Sequence, residues 1–383
     1  MNFLKYIINT MPRRGFAPLL GVLVFALAAA SCESIYDDRD GCNPDDPSVP
    51  AEFLGLRLRF VYEYHMERGA NAFAYNVDCL NVLVFDDQGN YLTQYDEVFP
   101  LPADDSYRMT LPLGAGTYSL VVYGGLACDH ASFDFAPDFR SKPEALQSDI
   151  RITLPRNAQG ESDVQLHDTD LRTGGLFWGT LNVTLDEEDF KTPYREETVY
   201  LMKDTNNIQV ILQELDDPYT IDHRDYDFQI VDDNFVLDGE NKFIEIGTEN
   251  YRPGYRPYAF ENRIMGYVDY NSTNGAYNEE DAEMPVQVAC AEFSTSRLFV
   301  EHLPTARLVI TKRATGETLI ELPLIKYLLG IRGFGDTWIK SDQEFLDRQS
   351  RWTLMFFLQH GLWVNARITV NWWTVRFNEV DFD

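Results

Sequence analysis

The chain has 383 residues, enough for two domains of ordinary size that each bury a core of their own. Hydrophobic residues make up 45% and aromatics 14%, with 24 Gly and 18 Pro, which excludes a disordered chain and suits a turn-rich fold. Against 32 Lys and Arg stand 61 Asp and Glu, a formal net charge of −29 that repels phosphate backbones and anionic lipid, so no nucleic acid is expected as a partner.

Residues 1–31 read as a lipoprotein signal peptide. Lys5, Arg13 and Arg14 form a basic start, and residues 19–30 are an apolar stretch of 12 residues. A spanning helix needs roughly 20, so this is a signal segment and not a membrane span. Ala29-Ala30-Ser31 then lead into Cys32. Small side chains there fit a signal peptidase cleft, and a Cys at the new N-terminus is what lipoprotein processing requires. Cys32 is therefore the expected lipidation site; acyl chains strengthen membrane attachment by about 0.8 kcal/mol per buried CH₂. Residues 32–50, with Glu33, Asp37, Asp38, Asp40, Asp45, Asp46, Pro44 and Pro47, form an acidic lipidated tether that buries no core.

Period-two alternation then dominates the chain. In residues 56–64, Leu56, Leu58, Phe60, Tyr62 and Tyr64 share one face, with Arg57, Arg59 and Glu63 opposite. Leu80, Val82 and Val84 repeat the pattern, and Asp86-Asp87-Gln88-Gly89-Asn90 marks a turn into Tyr91-Leu92. Tyr118/Leu120/Val122, Leu181/Val183/Leu185, Ile208/Val210/Leu212 and Val364/Ala366/Ile368/Val370 read as further strands. Helical signals are few. Ser341 with Glu344 has capping-box spacing ahead of a short helix near 342–349, and residues 323–329 could form a second. The expected fold is all-β, two antiparallel β-sandwich domains with one or two short helices. Residues 186–194, charged and holding Pro193, are the best boundary, giving an N-terminal sandwich at 51–190 and a C-terminal one at 191–383.

Besides Cys32, the cysteines are Cys42, Cys79, Cys128 and Cys290. An exported protein can pair them. If residues 91–95 are a strand returning from residues 82–85, the count of reversals brings Cys79 beside Cys128. If they are loop, the parity flips and Cys42–Cys128 is favoured. The reading adopted is Cys79–Cys128.

Chemistry-bearing motifs are scarce. No HExxH, GxSxG, P-loop or CxxC occurs, and His65, His130, His167, His223, His302 and His360 show no metal-ligand spacing. His167-Asp168-Thr169-Asp170 reads as loop, and residues 86–90 as a hairpin turn, because a calcium loop needs a bidentate Glu at its twelfth position. Gly330, Gly333 and Gly335 lack the G-x-G-x-x-G order. Trp363, Trp372 and Trp373 could stack on sugars but more often build core or interface. No catalytic, cofactor or metal residues are assigned, and no enzyme is expected.

Several stretches resemble a known family when taken in order. They are Ile35-Tyr36-Asp37-Asp38 after Cys32, Leu56-Arg57-Leu58-Arg59-Phe60-Val61-Tyr62-Glu63-Tyr64, Val77-Asp78-Cys79-Leu80 and Phe85-Asp86-Asp87-Gln88-Gly89-Asn90-Tyr91. They continue with Tyr107-Arg108-Met109-Thr110-Leu111, Tyr123-Gly124-Gly125-Leu126-Ala127-Cys128-Asp129, Val199-Tyr200-Leu201-Met202-Lys203-Asp204-Thr205-Asn206-Asn207 and Phe293-Ser294-Thr295-Ser296-Arg297-Leu298. Together they look like the fimbrial anchor subunits of Bacteroidales, the FimB-like fimbrillin-associated lipoproteins. The acidic stretch after Cys32 likewise resembles the surface-export signal of Bacteroidota lipoproteins. The resemblance implies transthyretin-like sandwiches, outer-membrane lipid attachment facing outwards, and fimbrial shaft subunits as partners. It implies a non-catalytic anchor that holds the fibre and limits its length. The alternative is a surface glycan-binding lipoprotein of a polysaccharide-uptake system.

Overall fold

Strand β1 (Gly55–Val61) forms because its apolar residues Leu56, Leu58 and Phe60 alternate with Arg57 and Arg59, and all three are buried. It stops at Val61 and not at residue 64, since the Tyr62 N–H leaves the ladder to donate to Asn71 Oδ1 at 2.9 Å. A helical turn without a sequence signal, α1 (Phe73–Asn76), follows. The hairpin of β2 (Cys79–Asp86) and β3 (Tyr91–Val98) closes on the expected turn: Asp86 Oδ1 accepts from the Gln88 and Asn90 N–H groups, with Gly89 at φ 80. The computed structural model describes residues 53–66, 70–99, 106–126, 128, 131–166, 175–217, 219–246, 253–265, 286–332, 338–370 and 373–378. The expected signal peptide, residues 1–31, and the tether, 32–50, lie outside them.

Next in the chain come β4 (Met109–Leu111), β5 (Gly116–Gly124), β6 (Asp134–Ala136), β7 (Arg151–Thr153) and β8 (Glu161–Ser162). They are followed by β9 (Phe177–Leu185), β10 (Tyr194–Tyr200) and β11 (Met202–Lys203). A three-stranded sheet, β10-β1-β4, and a five-stranded sheet, β11-β9-β5-β2-β3, enclose a core that includes Leu56, Leu58, Phe60, Leu80, Val82, Val84, Leu120 and Val122. Strand β2 is buried from Cys79 to Phe85, more than alternation alone predicts. Its remaining apolar residues, Leu83 and Phe85, turn with Val121 and Tyr123 to a second core on the opposite face. A strand covered on both sides loses its polar face.

The second core belongs to the other sandwich. Its elements are β12 (Thr205–Glu214), β13 (Tyr226–Val231), β14 (Val236–Asp238), β15 (Gly254–Tyr255), β16 (Ala259–Met265) and β17 (Val286–Ser296). They continue with β18 (Arg307–Lys312), β19 (Thr318–Pro323), α2 (Leu324–Leu329), α3 (Asp342–Arg348), β20 (Arg351–Gln359), β21 (Leu362–Val370) and β22 (Trp373–Asn378). A six-stranded sheet, β16-β17-β12-β20-β21-β22, packs on a five-stranded one, β19-β18-β13-β15-β8, through Ile208, Val210, Leu212, Phe228, Ile230, Leu308, Ile310, Leu354 and Phe356. Both helices stand where the sequence placed them. The Glu344 N–H donates to Ser341 Oγ at 3.0 Å, the cap its spacing announced.

Strand pairing corrects the division at 190/191. Strand β10 lies beyond that boundary yet runs parallel to β1, with Arg57 opposite Glu196, and β11 pairs with β9. Conversely β8 joins β15 in the five-stranded sheet, and β6 and β7 form a small separate sheet with β14, so strands before the boundary pair with strands beyond it. The expected boundary segment, 186–194, is a connection within the first sandwich, held by Asp189 Oδ2 accepting the Asp186 N–H at 3.0 Å. The strand read from Val364, Ala366, Ile368 and Val370 is β21, and β22 returns antiparallel to it from Trp373.

One glycine is fixed by geometry. Gly125 has φ +83, and a Cβ there would drive into the Gly175 carbonyl oxygen. Gly125→Ala therefore meets both backbone strain and a backbone clash, and should cost about 2–3 kcal/mol. A denaturant midpoint equal to the parent's would show that this turn relaxes freely.

Candidate functional site

The places that join parts of the chain are the covalent staple, the joint between sandwiches and the open sheet edges. The structure brings Cys79 and Cys128 together as a disulfide with a Cα–Cα distance of 5.8 Å. Strand β3 supplies the reversal on which that pairing depended: β2 lies antiparallel to β5 with Leu80 opposite Gly124, so the chain leaving β5 passes the start of β2. Gly125 N–H donates to the Cys79 carbonyl at 3.3 Å. Asp78 with these two sulfurs is the one group at metal-ligand spacing among the described residues, and the disulfide already occupies both sulfurs. Cys32 and Cys42 lie outside the described residues, as do His130, His167 and Trp372.

The joint is where residues 201–205 cross from the first sandwich to the second. The Asp204 N–H donates to the Leu176 carbonyl at 2.7 Å, and Trp178 Nε1 donates to the Gly239 carbonyl at 3.2 Å. From the other side, the Met66 N–H donates to the Arg348 carbonyl at 3.1 Å, and the Arg348 guanidinium lies 4.0 Å above the Tyr64 ring. Burial, then the carboxylates of Asp347 and Glu344, push the Tyr64 hydroxyl up to about 12.

At its centre, Arg297 just after β17 makes a fork to Asp347 of α3: Nε to Oδ1 and Nη2 to Oδ2, both 2.8 Å. Its Nη1 donates to the Asn241 carbonyl, and Asn241 Nδ2 donates to Asp204 Oδ1 at 2.8 Å. Gln343 Nε2 also donates to Asp347 Oδ1 at 2.8 Å. Asp204 is fully buried, and the side chains of Arg297 and Asp347 are 14% and 5% exposed. A bidentate pair removed from water this far is geometrically specific. A second buried pair, His302 Nδ1 to Asp232 Oδ1 at 2.5 Å, lies within the later sandwich. There burial pulls the imidazole down, Asp232 pulls it up, and the net shift is upwards.

None of the joint residues was a site candidate in the sequence. The only hint is the polar run Asp204-Thr205-Asn206-Asn207, where burial of the first three is anomalous for a strand end. Of the longer edge strands, β10 is shielded by charge, with Arg195 bonded to Asp189 and Glu197. No described strand pairs with the outer edge of β3 or of β22.

Two packed sandwiches, a stapled first sandwich and a buried polar joint define an all-β, two-sandwich protein. A family model described as fimbrillin-A associated anchor proteins Mfa1 and Mfa2 matches residues 40–379, and the chain belongs to that family. No curated protein sequence matches it. A crystal structure of a candidate adhesin from Bacteroides thetaiotaomicron is 35% identical, with TM-score 0.67 over 85% of this chain and 98% of that one. A second structure from that organism, described as a candidate polysaccharide-binding protein, is 28% identical, with TM-score 0.62 over 85% and 98%. The fimbrial anchor protein Mfa2 from Porphyromonas gingivalis shares the fold at 17% identity, with TM-score 0.57 over 84% and 98%. A fimbrial anchor or adhesin role at the cell surface follows from family membership.

Proposed function

We propose that the chain is the lipid-anchored base of a fimbria. Cys32 carries the lipid in the outer membrane, residues 32–50 space the folded part from it, and the sandwiches face outwards and bind shaft subunits without catalysis. The observation that carries this reading is the anchor-family match across residues 40–379, which spans both sandwiches. Because lipid occupies one end, the chain joins the fibre from one side only, which limits fimbrial length. An open strand edge supports the mode of contact: an added strand gains backbone hydrogen bonds and alternate side-chain pockets. Strand β22, at the edge of the six-stranded sheet, is the candidate surface.

Cys32→Ala tests the anchor. Most fimbriae should move from the cells to the medium, while the released protein still folds. Fimbriae that stay cell-bound at the parental level would sink the lipid attachment. Intact-cell proteolysis tests the outward orientation, since full protection of the protein counts against it.

The second reading, glycan binding in polysaccharide uptake, is favoured by the 28% identical structure described as a candidate polysaccharide-binding protein. Isothermal titration with oligosaccharides separates the two, as does the presence of fimbrillin-like or polysaccharide-uptake genes alongside.

A further inference from the structure

The joint contains one acid more than it has cations. Arg297 directs Nε and Nη2 at Asp347 and Nη1 at a carbonyl, so the side-chain hydrogen bond that Asp204 accepts comes from a neutral donor, the Asn241 amide. Asp204 Oδ2 has no hydrogen-bond partner, and the hydroxyls of Tyr123, Thr205 and Ser296 are likewise buried without one. Thr205 follows Asp204 in the crossover and is opposite Ser296 in the ladder. An ionised carboxylate with such partners is costly in a site fully removed from water, whereas the neutral acid has an O–H to donate.

We propose that Asp204 is a proton-carrying latch: neutral, it lets the two sandwiches lock at the crossover, and its ionisation loosens them. The latch is independent of whether the protein anchors a fibre or binds glycan. The charged and titratable groups that act on it are Arg297 after β17 and Asp347 on α3, and Tyr123 on β5 feels its charge in turn. Burial pushes the Asp204 carboxyl up to about 7, against Arg297 and Asn241, which lower it, and with Asp347, which raises it. The Tyr123 hydroxyl is raised by burial and then by the charges of Asp204 and Asp238.

The sign follows from the ordinary carboxyl value of about 3.9 in an unfolded chain. The folded value is higher, so the contribution to stability is fully present below about pH 4 and is lost as pH rises through about 7. Above that it is constant. His302, also raised, acts in the same direction, and a comparison of two proteins that both keep it cancels its effect.

The test uses the mature chain and its Asp204→Asn variant, in which the side chain is neutral at every pH. Between about pH 5 and about pH 8 the melting temperature of the parent should fall by about 3–6 °C more than that of the variant. Amide exchange, corrected for intrinsic rate, should quicken with pH across residues 201–205 in the parent alone. Equal pH slopes in both proteins overturn the latch. If Asp204→Asn does not fold, infrared spectra of the parent near neutral pH decide the matter. A protonated carboxyl band that vanishes on mild alkalinisation supports the proposal, and its absence overturns it.

Discussion

Arg297→Met is expected to destabilise the protein by about 3–5 kcal/mol, because it leaves Asp347 charged and buried with the Gln343 amide as its remaining side-chain donor. It also removes the positive charge that lowers Asp204, and so makes ionisation of that acid harder. Denaturant unfolding of the mature chain measures the loss, and the melting temperature should drop by roughly 10 °C. Most of the cost belongs to the orphaned carboxylate and not to the pair itself. The double variant Arg297→Met with Asp347→Leu should therefore recover the greater part, since apolar replacement of a buried pair is often close to neutral. A single variant within about 1 kcal/mol of the parent would mean that water reaches Asp347 and the joint is wetter than its burial indicates.

Periodicity made the strands legible because an alternate set of apolar residues in each enters one core. Leu56/Leu58/Phe60, Leu80/Val82/Val84 and Ile208/Val210/Leu212 all occupy the cores their alternation announced. Local chemistry was equally readable at Asp86, whose carboxylate organises the hairpin, and at Ser341, which caps α3. Pairing partners were not readable. Alternation fixes which side of a strand faces inwards, but it carries no information about a neighbour far away in the chain. Strand β1 finds β10 across 139 residues, from Arg57 to Glu196, and this long return moved the domain boundary. The joint was hidden for the same reason. Asp204, Asn241, Arg297 and Asp347 are single polar residues on separate elements, with no mutual spacing to detect, and each is ordinary until folding buries them together.

Removing the Cys79–Cys128 bond should have a comparable effect by a different route. The bond closes a segment with a sequence separation of 49, and fixing such a loop in the unfolded chain stabilises the folded one by about 4 kcal/mol. Cys79→Ala combined with Cys128→Ala replaces both sulfurs with small apolar groups at a site where Cys79 is fully buried, so a modest packing loss is added. The damage should fall on the first sandwich, because Cys79 opens β2 and Cys128 follows β5, two central strands of its five-stranded sheet. Amide exchange should accordingly quicken in β2, β3 and β5 before it does so in β12, β17 and β20. Dithiothreitol should reproduce the shift in the parent and leave the variant unchanged. A non-reduced digest of the exported protein checks the chemistry directly. A peptide linking Cys42 to Cys128, or unaltered stability on reduction, would remove this staple from the account, and the first sandwich would then owe its order to its apolar core alone.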